Sequence, residues 1–244
     1  MQQLNHRVAR TAGLLYLSVI GFGVFAQFFV RKKLIEPGNA AETARQIKEH
    51  EALFRAGFVS DLMMITCYFL LALALYELFK TVHQKASALF VLFTLVGSAV
   101  LAVNMLNHFA ALVLLSEPQY AAAFGTAQLH HLLLFFLDMH ANGYMVAQVF
   151  FGLWLFPLGY VVFKSGYVHP IFGLLLMMGC VGYLLDFMAY FLIPGQAEWI
   201  SAGTLFADLG EFSLCFLLLY KGFKPQHSGK RRSQGQKLTE DAGN

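Results

Sequence analysis

The chain has 244 residues, 58% of them hydrophobic and 13% charged, with a formal charge of +3 and a mean hydropathy of +0.59. A soluble domain averages about 45–50% apolar and about 25% charged residues, so a water-soluble fold of this size has nowhere to hide such an excess. Soluble-enzyme readings fail as well, since the sequence has no Gly-rich phosphate loop and no G-x-S-x-G elbow.

The apolar residues fall in long runs, and about 20 in a row span a bilayer. The first run, 11–30, follows a short basic start and stops at Arg31-Lys32-Lys33, and reads as an uncleaved first span. A polar stretch follows, with a turn at Pro37-Gly38-Asn39 and a surface helix from Glu42 to Glu51. The second span is expected over 54–79 and the third over 86–115, with a tight basic link between them. Gln128 to Leu137 is a short apolar stretch that predicts an interfacial or re-entrant helix ahead of the fourth span. That span covers 140–163, with a kink at Pro157. Turns at Ser165-Gly166 and Pro194-Gly195 bound the fifth, 170–193, and the sixth covers 198–220. The expected architecture is an all-α integral membrane bundle of six spans over residues 1–222, with a disordered basic tail over 223–244.

Cys67, Cys180 and Cys215 lie inside apolar runs without CxxC or Cys/His spacing, and read as small buried hydrophobes. With the N-terminus inside, eleven Lys and Arg fall on the inner side and six on the outer. The positive-inside rule then favours cytoplasmic N- and C-termini. Six of the eleven lie after Tyr220, a basic tail suited to anionic lipid headgroups. No aromatic platform or folded module accompanies the tail, so nucleic acid is not an expected partner.

Ionisable groups at membrane depth cost about 2.5–3.5 kcal/mol each near a helix centre, so their positions carry information. Asp61 lies early in the second span, with Arg55 close by in sequence, and Asn104, Asn107 and His108 lie late in the third. Asp138, His140 and Asn142 open the fourth, Asp186 is late in the fifth, and Asp208 and Glu211 are early in the sixth. With alternating span directions, all of them fall in the outer half or near the midplane. Asn104, Asn107 and His108 share a helical face, as do His140, Tyr144 and Gln148, and Tyr183, Asp186 and Tyr190 form a similar stripe. Together they predict an outward-facing polar pocket formed by Asp61, Asn104, Asn107, His108, His140, Tyr144, Asp186, Asp208 and Glu211. Glu211, about 18 Å into its span at about 1.5 Å per residue, has His140 and His108 as its natural partners. The bland alternative is that these groups serve as interhelical hydrogen-bond partners.

The chain resembles a bacterial family of multi-pass membrane proteins, the family of domain of unknown function DUF4386. The likeness runs from Arg10 to Gly222 and rests on the ordered motifs RTAGLLYL from Arg10, ALFRAGFVSDL from Ala52 and NMLN from Asn104. It continues through HANGY from His140, GYVVFKSG from Gly159 and GEFS from Gly210. The resemblance implies a six-span inner-membrane protein and draws notice to Asp61, His140 and Glu211, without supplying an activity or a cofactor.

Three function classes stay open on these residues. One is a transporter or binding protein for a small solute or cation, working alone or as a homo-oligomer. Another is a membrane-embedded enzyme or metal site acting on a lipid or quinone, with His108, His140, Asp61, Asp186 and Glu211 as candidate ligands. Neither HExxH nor HxxxH spacing occurs, and a haem held by His108 and His140 is a more remote form of the same idea. The third is a non-catalytic accessory subunit whose polar groups only specify packing.

Overall fold

A computed structural model describes residues 5–193 and 204–224. The expected turn at Pro194-Gly195, the first residues of the sixth span and the basic tail beyond Lys224 lie outside the described residues. Every described element is a helix.

The first helix, α1 (His6–Leu34), begins at an Asn5 cap whose side chain accepts from the Arg7 and Val8 amides. It runs past the expected end at Val30, and its stretch Phe25–Arg31 is a π-helix. Where the i→i+4 ladder gives way to i→i+5, Ser60 Oγ donates to the Phe22 carbonyl at 3.0 Å. The polar helix α2 (Ala40–Glu49) is capped by Asn39. On its exposed face Arg45 reaches both Glu42 and Glu49, and the Arg45 guanidinium, aided by Gln46, holds the Glu42 carboxyl at about 2.

Helices α3 (Glu51–Phe79) and α4 (Gln84–Ser116) follow, then the short α5 (Pro118–Phe124). Gly125, at φ 75°, takes the left-handed turn and starts α6 (Thr126–Leu153). Here the expectation of a separate interfacial helix is corrected. Gln128 to Leu137 belongs to α6 without interruption, because no proline breaks the chain until Pro157. The break comes at Trp154, beside the Leu153 carbonyl that Pro157 leaves without its usual amide donor, and α7 (Leu155–Ser165) continues beyond it. Gly166, at φ 65°, then turns the chain into α8 (Pro170–Leu192). The last helix, α9 (Leu205–Phe223), carries Asp208, Glu211 and Lys221.

Among the described residues five stretches are long and apolar enough to cross a membrane: α1, α3, α4, α6 with α7, and α8. Their outward faces carry Leu17, Val103, Leu106, Leu185 and other large side chains, with Val103 and Leu106 each 67% exposed. A soluble surface rarely shows such a continuous apolar face, and the architecture is that of a membrane helical bundle.

The helices close into a ring. α1 packs on α3 and α9, α3 on α4, α4 on α6 and α7, these two on α8, and α8 on α9. The main core centres on Tyr16, Tyr68, Leu71, Phe90, Trp154, Leu158, Leu176 and Leu214. A second core joins Val30, Leu34, Ala44, Ile47, Phe54, Leu112, Leu129, Leu133 and Leu137 at the end of the bundle that bears α2. The 33 residues of α4 extend about 50 Å, well over the ~30 Å of hydrocarbon in a bilayer. The surplus at the α2 end buries Leu129, Leu133 and Leu137 against protein, which is why that segment does not lie flat in an interface.

Candidate functional site

Of the expected pocket residues, His140, Tyr144 and Glu211 line one or other of two adjoining cavities, here called the outer and inner chambers, and the rest do not line either. The outer one, about 620 Å³, lies toward the α2 end, between Gly23, Gln27, Arg31 and Lys32 of α1 and Leu137, Asp138, His140 and Met145 of α6. Tyr190 of α8 closes another side. The inner one, about 120 Å³, is lined by residues of α1, α3, α4, α6, α8 and α9, including Val19, Tyr68, Ser98, Phe151, Tyr183 and Glu211, and by Trp154 at the α6–α7 break. Met64 of α3 and Tyr144 of α6 belong to both linings, so the two cavities adjoin at these side chains.

Asp61 is buried and ion-paired with Arg31, whose Nε also donates to Gln27 Oε1 at 2.8 Å. Arg55, the expected neighbour, instead pairs with Glu51 at 2.7 Å, because on α3 it projects outward beside the residue four before it. Arg31 ends the π-helical stretch of α1, so the irregular turns set the height and angle at which its guanidinium meets Asp61.

The histidine cluster follows its expected helical face. Asn104 Nδ2 donates to the His140 carbonyl at 2.8 Å and lies 3.3 Å from His140 Nδ1, while Asn107 Nδ2 donates to Asn104 Oδ1 at 3.0 Å. This approach requires Gly143, because a Cβ there would sit 2.1 Å from Asn104 Oδ1. His108 is fully buried, stacked on Phe54 with centroids 4.2 Å apart and set edgewise to His140 at 5.1 Å. Among the described residues neither of its ring nitrogens has a hydrogen-bond partner.

Glu211 is not with the histidines. Half-buried itself, it accepts through Oε1 from the buried Tyr16 hydroxyl at 2.8 Å, beside the main core. The expected start of its span lies outside the described residues; counted from Leu205, the first residue of α9, Glu211 stands about 9 Å along the helix. Asp186 accepts from Gln148 Nε2 at 2.7 Å, between the chambers' two tyrosines on α8, Tyr183 and Tyr190. Asp208 is exposed.

The five candidate metal ligands are thus dispersed: two histidines together, and three carboxylates each with a different partner. Among the described residues no group of three or more His, Cys, Asp or Glu side chains could hold a metal ion. The sequence reading missed Arg31, Gln27, Tyr16, Tyr68, Ser98 and Trp154. Tyr68 was within reach of it, since it lies seven residues after Asp61 on the same face of α3. Arg31 looked like the stop signal of a span, and only the π-helical stretch reveals it as a wall of the outer chamber.

Comparison with known proteins gives two matches. The model of the family described as "Domain of unknown function (DUF4386)" matches residues 11–222. An "Uncharacterized protein" of Archaeoglobus fulgidus is 34% identical over 157 residues, covering 63% of this chain and 75% of its own length. No solved structure matches.

Proposed function

This chain belongs to the DUF4386 family, and we propose that it binds a small solute in the two-chamber cleft and passes it toward the membrane interior. The observation that carries the reading is the pair of adjoining cavities, about 620 and 120 Å³, whose linings share Met64 and Tyr144, and we read these two side chains as the neck between them. Packing alone calls for polar contacts between helices, not for space enclosed between them. On this reading α9 is the sixth span. Lys80, Lys85, Lys164 and Lys221 mark the cytoplasmic side of a plasma membrane, and the mouth by Arg31 opens on the other side.

The test is ligand-induced thermal stabilisation of the detergent-purified protein, screened across small cationic, neutral and anionic solutes. A solute at about 100 times its Kd adds about 2.7 kcal/mol to the folded state, enough to raise Tm by several degrees. We expect at least one solute class to raise Tm in the wild type and to lose that effect in Met64→Trp, which fills the neck. A response that survives Met64→Trp unchanged contradicts the cleft as the site. If no class raises Tm, the buried polar groups serve helix packing instead.

A further inference from the structure

The inner chamber has a chemistry of its own. Five aromatic rings line it, those of Tyr68, Tyr144, Phe151, Trp154 and Tyr183. Tyr68 meets Trp154 and Phe151 edge to face, with centroids at 4.9 Å and 5.3 Å, so these three rings form a fixed corner of the wall. Among the described lining residues there is one formal charge, Glu211, and no Lys, Arg or His. The carboxylate form of Glu211 therefore has no counter-charge in the wall, although an unpaired ion at this depth is costly.

A second observation points the same way. Ser98 is 6% exposed, lines the chamber, and its Oγ has no hydrogen-bond partner among the described residues. A buried hydroxyl left without a partner carries a desolvation cost that a bound donor would remove.

These features select among solutes. Aromatic faces and a carboxylate both attract cations and disfavour anions. A calcium or magnesium ion needs six or more oxygens converging at about 2.0–2.6 Å, and a zinc ion about four converging ligands. Walls drawn from six helices around about 120 Å³, much of them Val19, Ile65, Leu101 and Phe151, do not converge in that way. The space corresponds to roughly four waters at about 30 Å³ each, room for a cation with a few carbon atoms. We infer that the inner chamber holds a small alkylammonium ion, with its N–H groups toward Glu211 and Ser98 and its carbons against the tyrosine and tryptophan rings. The inference rests on the reading that the cleft admits a solute, and it names the class of that solute.

Trp154 provides a direct readout, because the chain has two tryptophans and the other, Trp199, can be removed as Trp199→Phe. The full-length Trp199→Phe protein in detergent is titrated at constant ionic strength with tert-butylammonium chloride. Tert-butanol and sodium pivalate serve as neutral and anionic probes of nearly the same shape. We expect a saturable change in Trp154 emission with tert-butylammonium alone. Binding should weaken about tenfold in Glu211→Gln and several-fold in Tyr144→Leu, through lost charge and cation–π attraction. Ser98→Ala, the mildest change, should weaken it several-fold and keeps the test usable if a larger substitution fails to fold.

Equal responses to tert-butanol, unchanged affinity in Glu211→Gln, or no saturable change with tert-butylammonium each overturn the inference. A different solute whose thermal shift is lost in Met64→Trp, with tert-butylammonium silent, removes the cation and leaves the cleft standing. Silence from every solute removes both.

Discussion

Asp61, buried behind the wall of the outer chamber, and Arg31, which lines it, form the most consequential pair, because each is nearly shut off from solvent, at 4% and 15% side-chain exposure. Removing one member of a buried pair strands the other, at a cost of about 3–5 kcal/mol, whereas removing both often costs much less. Asp61→Asn and Arg31→Gln should therefore each lower stability by about 3 kcal/mol, and the double variant should lose clearly less than their sum. A double-mutant cycle on thermal or denaturant unfolding checks this, and strict additivity would show that the pair is not coupled. At this scale the sequence showed which residues were costly, since a carboxylate or amide inside an apolar run stands out. It did not show their partners. Asp61 finds Arg31 thirty residues away, and Glu211 finds Tyr16 across 195. Such distances in sequence are bridged only by the closure of the ring, so a neighbour in sequence, Arg55, and a plausible chemical partner, His140, were both wrong.

Helix existence was legible and helix ends were less so. Each of the five long apolar stretches among the described residues contains an apolar run read from the sequence, because a helix with an apolar outer face cannot conceal its composition. Ends were misjudged where protein, not lipid, covers the helix, as at Leu129 and Leu133 under α2. The π-helical stretch of α1 left no trace in composition at all. Close contacts between helices were equally silent, and they give a contrast to test. A Cβ on Gly222 would lie 2.5 Å from the Arg10 backbone, which cannot yield, whereas a Cβ on Gly21 meets nothing within 4 Å. Gly222→Ala should cost about 1–3 kcal/mol by forcing α9 off α1. Gly21→Ala should be neutral or stabilising by up to about 1 kcal/mol, since alanine restricts the unfolded chain and favours the helix. Melting curves of the two variants with opposite signs, or at least a wide gap, are the expected result. A loss in Gly21→Ala as large as in Gly222→Ala would show that the α1–α9 contact is looser than described.

The whole molecule is a ring of helices with unequal ends, one bearing α2 and the second core, the other bearing the basic links at Lys80, Lys85 and Lys164. The proposed orientation makes a prediction for intact cells. A cysteine introduced at Lys48 should react with a membrane-impermeant maleimide added from outside, and one at Lys85 only after permeabilisation, in a background with Cys67, Cys180 and Cys215 replaced by alanine. The reverse pattern inverts the protein and moves the mouth of the cleft to the cytoplasm. Composition alone fixed the membrane class, yet the cavity was visible from it only as a cluster of polar positions. Enclosed volume depends on the ring closing, a property that no single run of residues carries.

Trp154 stands at the joint between α6 and α7 and also forms part of the inner chamber's wall. The two rods that meet there span 40 residues, about 60 Å, and reach from α2 to the basic turn at Lys164. Joint and wall are one residue, so any flexing of the rods against each other reshapes the chamber, and anything wedged in the chamber braces the joint. On the proposed reading, occupancy at the centre would act as leverage at both ends of the bundle.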